Sequence, residues 1–235
     1  MYSTTINGTL SGVITTKKRR SGKNLSRSKD CFAHPSGCAI LTIDYDSRSG
    51  TKPHTRQRLI ACLAEVITDL RETQLLWATS AGPCIYDAVT GKKHSGVRGQ
   101  RVYILVMDGR DINRALHVLA ERLWLAGHGW IKVSKSGAKL RRTLVDLALA
   151  NAVQPDFAAG AVCYYPFEQR SQQKLIGVGG PLNTGTAISS LSLREQHHLD
   201  KIYKVAEDAA EDEAKAGPHN RLGSTRFSQA RQRRG

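Results

Sequence analysis

Two carboxylates stand one residue apart at the end of the apolar, β-branched run Ala39-Ile40-Leu41-Thr42-Ile43-Asp44-Tyr45-Asp46. As a strand, the run sends alternate side chains to opposite faces, so Asp44 and Asp46 share one face while Ile43 and Tyr45 take the other. Paired carboxylates at the mouth of a buried strand repel each other and are costly to desolvate. A bound cation removes that cost, and Mg2+ or Mn2+ suits oxygen ligands. The pattern predicts a divalent-metal site. The alternative is a strand that simply runs out into the polar turn Ser47-Arg48-Ser49-Gly50.

The chain around this pair is basic. Lysine and arginine number 35 against 20 acidic residues, a net charge of +15. A polyanion is the natural partner for such an excess, because each neutralised phosphate releases counterions. The cations are not confined to the ends. Arg27 and Lys29 close a basic leader and could touch phosphates, and Lys132, Lys135, Lys139, Arg141 and Arg142 crowd the middle. Lys135, between two serines at a strand end, is a candidate phosphate contact, with an exposed turn lysine as the alternative. Metal-dependent chemistry in such a chain points to phosphoryl transfer.

Hydropathy patterning supplies the elements that must position these groups. Beyond the first strand (about 37–46), Leu59, Leu63, Val66, Ile67 and Leu70 recur at helical spacing and predict an amphipathic helix over 55–71. Strands follow at 75–79 and 101–106. Asp111 is expected to cap a helix over about 112–126 that Gly127 ends, with His128 hydrogen-bonding at its terminus. Trp130–Val133 is a strand, Leu140–Leu149 a strand-like run holding Asp146, and 157–165 a last strand or hairpin. The expected organisation is a basic, partly flexible leader (1–30), a folded core (31–167), a Gly/Gln/Ser-rich linker (168–192), a charged helix (193–216) and a basic disordered tail (217–235). The abrupt polar ends read as those of a piece of a longer protein. No run of apolar residues is long enough to cross a membrane. Five scattered cysteines without a Cys-x-x-Cys pair are expected to be reduced thiols of a cytoplasmic protein.

Taken in order, Leu41-Thr42-Ile43-Asp44-Tyr45-Asp46, Ala78-Thr79-Ser80-Ala81-Gly82, Gly99-Gln100-Arg101-Val102-Tyr103, Trp124-Leu125-Ala126-Gly127-His128-Gly129-Trp130 and Arg142-Thr143-Leu144-Val145-Asp146 resemble the catalytic domain of archaeo-eukaryotic primases. More narrowly, they resemble the primase-polymerases of phages, plasmids and integrated elements. The resemblance spans about residues 26–165. It implies an α+β fold, an RRM-like (ferredoxin-like) core of a mixed or antiparallel sheet with helices packed on it. It also implies a DNA primase or polymerase with Asp44, Asp46 and Asp146 as catalytic ligands of Mg2+ or Mn2+. The family's Ser-x-His motif, which holds the incoming triphosphate, maps to Ser80 and, across an inserted loop, to Arg101. Arginine binds phosphate bidentately but cannot shuttle a proton near neutrality. His94, in the inserted loop, is a candidate substitute.

The implied partners are a single-stranded DNA template, contacted by Arg27, Lys29 and Arg142, and nucleoside triphosphates held by Ser80, Arg101 and Lys135. A helicase domain or subunit would lie outside this chain, which has no Gly-x-x-x-x-Gly-Lys-Ser/Thr loop. A second reading is a catalytically impaired, primase-like replication protein that only binds nucleic acid. A third is a metal-dependent nuclease using the same acids.

Overall fold

The computed structural model describes residues 26–211 apart from 49, 83 and 157–159, residue 215, and the backbone of short strand pieces before residue 26. Those pieces are β1 (Tyr2–Thr5) with β2 (Gly8–Ser11), and β3 (Ile14–Thr15) with β4 (Leu25–Ser26). The fold is mixed α+β. The chain divides into two units, Met1–Ala120 with Leu144–Ser190, and Glu121–Thr143 with Leu191–Gly235. Among the described residues, no helix is long and apolar enough to cross a membrane.

The first unit is built on a four-stranded antiparallel sheet of β5 (Ala39–Asp46), β6 (Leu75–Thr79), β8 (Gly99–Val106) and β12 (Gln173–Ile176), in the order β12-β6-β8-β5. β5 and β6 run parallel with β8 between them, so helix α1 (Arg56–Ala64) makes a split β-α-β crossover. A ferredoxin-like sheet pairs its last strand with its first; here the last strand, β12, pairs with β6. One face is core: Leu41 and Ile43, Leu75 and Trp77, and Val102, Ile104 and Val106 are buried. Leu59 and Leu63 of α1 and Ile112, Leu116 and Leu119 of α2 (Ile112–Leu125) complete that buried set. The other face carries Asp44 and Asp46 and exposes Ile40, Leu105 and Leu175.

Several expectations need correction. The helix over 55–71 stops at Ala64, capped at its start by Thr55, whose hydroxyl accepts from Arg58 N. The β-branched run Val66-Ile67-Thr68 disfavours continuation, Thr68 N–H is given to Ala187 O, and Asp69 turns left-handed (φ 61°). Asp111 does not cap the backbone of α2. Its carboxylate grips Arg114 bidentately (2.6 and 2.6 Å) and accepts from the Thr184 hydroxyl (2.5 Å), while Asp108 caps the preceding 3-10 turn. The described part of the strand expected over 157–165 is irregular.

The stretch 168–192 is no linker. It supplies β12 and β11 (Phe167–Gln169), and it buries Leu182, Thr184, Ala187 and Ile188. Its glycines serve close approach: Gly177 takes φ 76°, and a side chain at Gly179 would overlap the Glu72 carbonyl oxygen.

In the second unit, β9 (Trp130–Val133) and β10 (Lys139–Arg142) form a hairpin, and α4 (Leu193–Ala209) opens on a capping box of Ser192 and Glu195. Arg141 reaches Glu207 (2.7 Å) and lies 3.8 Å over the Tyr203 ring, Lys139 meets Glu211 (2.5 Å), and Trp124 stands edge-on to Tyr203. The helix expected to reach residue 216 is described as continuous to Ala209, and the tail 217–235 lies outside the described residues.

Candidate functional site

The end of β5 places Asp44 and Asp46 on the sheet face away from the core, as their alternation requires, with Tyr45 between them buried. A buried polar chain anchors the strand from behind. Trp77 Nε1 donates to Gln100 Oε1 (2.8 Å), Gln100 Nε2 donates to His54 O (2.7 Å), and His54 N donates to the Tyr45 hydroxyl (3.0 Å). Gln100 is fully buried, so its satisfied amide fixes the register of β8 against β5.

In that register Asp44 faces Arg101 and Asp46 faces Gly99. Ser80, just past the end of β6, donates its backbone N–H to Gly99 O (3.0 Å). Gly99 matters because it has no side chain. A Cβ there would come within 2.9 Å of Asp46 Oδ1 and closer still to the Ser80 hydroxyl. The Asp46 carboxylate and the Ser80 hydroxyl therefore converge over one bare backbone position.

Asp146 joins from another direction and is not on a strand. It caps a 3-10 turn (Leu147–Ala150), its carboxylate accepting from Ala148 N (3.0 Å), because Leu144 and Val145 are both buried and turn the chain inward before it. Its own N–H donates to Asp44 O (3.0 Å), which ties the turn to the metal-candidate strand.

Arg101 is almost wholly buried and holds two carboxylates. Its Nε lies 3.5 Å from Asp44 Oδ1, its Nη1 is ion-paired with Asp156 Oδ1, and the Tyr103 hydroxyl shares the network. Asp156 Oδ1 is buried, and its ion pair with Arg101 offsets its desolvation. Burial pushes the Asp44 carboxyl above its ordinary value. Arg101 pulls it back, and Asp46 and Asp146 push it up again.

No family model, curated protein or solved structure matches this chain.

Five of the expected site residues, Asp44, Asp46, Asp146, Ser80 and Arg101, thus meet at one end of the sheet. Arg27 and Lys29 do not join them there. Arg27 is spent on chain geometry, donating to Val153 O (3.0 Å) and Gln154 Oε1 (2.9 Å), and Lys29 is exposed. Lys135 and Arg142 belong to the second unit, at the turn of the β9–β10 hairpin and at the end of β10. His94 stands edge-on to Phe167 (5.0 Å). Sequence reasoning attached no role to Gly99, Tyr103 or Asp156. A glycine opening a strong strand signals close approach, but a lone Pro155-Asp156 in an irregular stretch carries no periodic signal.

The donors at this end of the sheet are hard oxygens: the Asp46 carboxylate and Ser80 hydroxyl over Gly99, Asp44 on the same face of β5, and Asp146 on the turn tied to Asp44 O. These suit a hard divalent ion. The guanidinium beside Asp44 already supplies part of the positive charge that such an ion would bring.

Proposed function

We propose that this chain is a primase-type nucleotidyltransferase core, RRM-like in its β5-α1-β6-β8 part though not in the pairing of its last strand, acting on a single-stranded DNA template. The observation that carries the reading is the approach of Asp46 and the Ser80 hydroxyl over the side-chain-free Gly99, with Asp44 on the same face of β5 and Asp146 tied by its N–H to Asp44 O. Asp44, Asp46 and Asp146 would hold Mg2+ or Mn2+. Bound there, the ion supplies charge neutralisation for the triphosphate and lowers the pKa of the attacking hydroxyl.

The protein's own groups then have distinct tasks. Ser80 presents a hydroxyl that can donate to a phosphate oxygen, and Gly99 leaves room for that hydroxyl and the Asp46 carboxylate to sit against the backbone. Arg101 orients Asp44 and lowers the mutual repulsion of the carboxylates; Asp156 and Tyr103 keep its guanidinium in place. Being permanently charged, Arg101 moves no proton. The substrates on this reading are nucleoside triphosphates, and a helicase domain or subunit would come from outside this chain.

The Arg101–Asp44 pair favours one second reading. A guanidinium held on a metal-candidate carboxylate is what a primase-like protein that has lost its chemistry would carry, leaving a nucleic-acid-binding replication module. Incorporation of labelled nucleotides on primed and unprimed single-stranded templates separates the two. The first reading expects metal-dependent product, and the second expects binding without product.

A further inference from the structure

The inserted loop after Ser80 and the chain after residue 160 build a small platform of their own. β7 (Ile85–Asp87) pairs with β11 in antiparallel register, Phe167 opposite Asp87 and Gln169 opposite Ile85, and Tyr86 bridges to Lys93 on its other side. The turn Tyr164–Phe167 is closed by Phe167 N donating to Tyr164 O (2.9 Å) and pinned by Ala88 N donating to Pro166 O (2.7 Å). Tyr164 and Tyr165 at that turn are 81% and 84% exposed, far beyond what the polar tip of a packed tyrosine needs.

The charge around them is net positive, Lys92, Lys93 and Arg170 against Asp87 and Glu168. The Asp87 carboxylate is used within its own turn, accepting from Val89 N (2.9 Å) and Thr90 N (2.8 Å), and Glu168 is paired with Arg170. Lys92 and Lys93 are exposed, and among the described residues no acid pairs with either. Arg170 also lies 4.8 Å over the Tyr86 ring. Exposed rings on a platform with a net cationic excess match a ligand that is polyanionic and carries stackable faces.

We propose that this platform binds single-stranded nucleic acid, with Tyr164 and Tyr165 stacking on bases and Lys92 and Lys93 holding the backbone. It is coupled to the carboxylate cluster by one residue. Gln169 Nε2 donates to Ala81 O (2.7 Å), next to Ser80, while its Oε1 accepts from Ala161 N (2.7 Å). A strand on the platform is thereby led toward Ser80. The proposal rests on the nucleic-acid part of the functional reading and not on its chemistry.

The test is fluorescence anisotropy of the full chain with labelled oligothymidylate of about 20 nucleotides and an abasic oligonucleotide of equal length. Stacking on two rings predicts that the base-bearing strand binds roughly tenfold or more tightly. Tyr164→Ala/Tyr165→Ala, at exposed positions that leave the fold intact, should abolish that preference. Lys92→Gln/Lys93→Gln should weaken both strands alike and lower the salt-dependence slope by about 1.4. Equal binding of both strands by the wild type, or a preference that survives loss of the tyrosines, overturns the platform while leaving nucleotidyl transfer standing. Absence of any binding overturns both.

Discussion

Arg101 lies directly across from Asp44 in the β5–β8 register, with Nε 3.5 Å from Asp44 Oδ1, and its other arm is on Asp156. A permanent cation thus stands beside the carboxylate that a divalent ion would need. The pair stabilises this end of the sheet and, on the proposed reading, sets the strength of metal binding.

Replacing Arg101 with glutamine removes the competing charge. Mn2+ affinity, read from the free-ion EPR signal, should rise roughly tenfold or more, since a unit charge a few ångströms away in a largely buried site is worth at least that much. Stability should fall by about 1–3 kcal/mol, because Asp44 and Asp156 lose their counter-ion and both remain partly solvated. Unchanged Mn2+ affinity would show that Arg101 does not compete for Asp44.

Asp44 itself carries a stability cost. Burial, followed by its acidic neighbours, outweighs Arg101 and raises its folded pKa, so the folded state binds more protons than the unfolded chain. Stability from this group therefore falls as pH rises from the ordinary carboxylate value through the raised one, and above that window the charge penalty is complete. Asp44→Asn should raise the Tm at pH 7, and the gain should vanish below about pH 4. Thermal melts at the two pH values check this, and a lowered Tm at pH 7 contradicts it.

Gly99→Ala probes the open backbone position. The new Cβ displaces the Ser80 hydroxyl and presses on Asp46 Oδ1, and both side chains can rotate away. The fold should survive, losing about 1 kcal/mol or less, while nucleotide incorporation drops at least about tenfold through misplaced donors. Incorporation at the wild-type rate would separate Gly99 from the site.

Asp111 offers a contrasting pH dependence away from the site. Hydrogen bonds from Arg114 first, and also from Thr184, hold its carboxyl below the ordinary range despite some burial. Stability from a depressed carboxyl is present above its unfolded pKa and is lost as pH falls through the folded value. Asp111→Ala should cost about 2–4 kcal/mol at pH 7. Much of that loss comes from releasing Arg114, which also donates to Thr184 O (3.0 Å) and Ile188 O (2.9 Å). The deficit should shrink in acid. Denaturant midpoints at pH 7 and pH 3 measure it, and an equal deficit at both contradicts the assignment.

What the sequence discloses follows the range over which its signals act. The alternation in β5 sends Asp44 and Asp46 to one face because a strand has a fixed period of two. The apolar spacing of α2 and its stop at Gly127 (φ 80°) were legible for the same local reason. The Arg101–Asp44 contact spans 57 positions and depends on a register that Gln100 and Tyr45 enforce from the buried side, so no local pattern reports it. The stretch 168–192 hides its role because its few apolar residues are scattered and its glycines mimic a flexible linker. Gly177 and Gly179 are instead where the chain passes against Thr73 and Glu72. Asp146 read as a strand carboxylate because Leu144 and Val145 precede it, yet both are buried by a turn.

The most direct test of the central claim is nucleotide incorporation on primed and unprimed single-stranded DNA with Mg2+ and then Mn2+, beside Asp44→Ala/Asp46→Ala. Metal-dependent product from the wild type that disappears in the double variant is the predicted result, and product on the unprimed template would make the activity that of a primase. No product under any condition, with salt-sensitive DNA binding intact in both proteins, would contradict nucleotidyl transfer and leave the binding module.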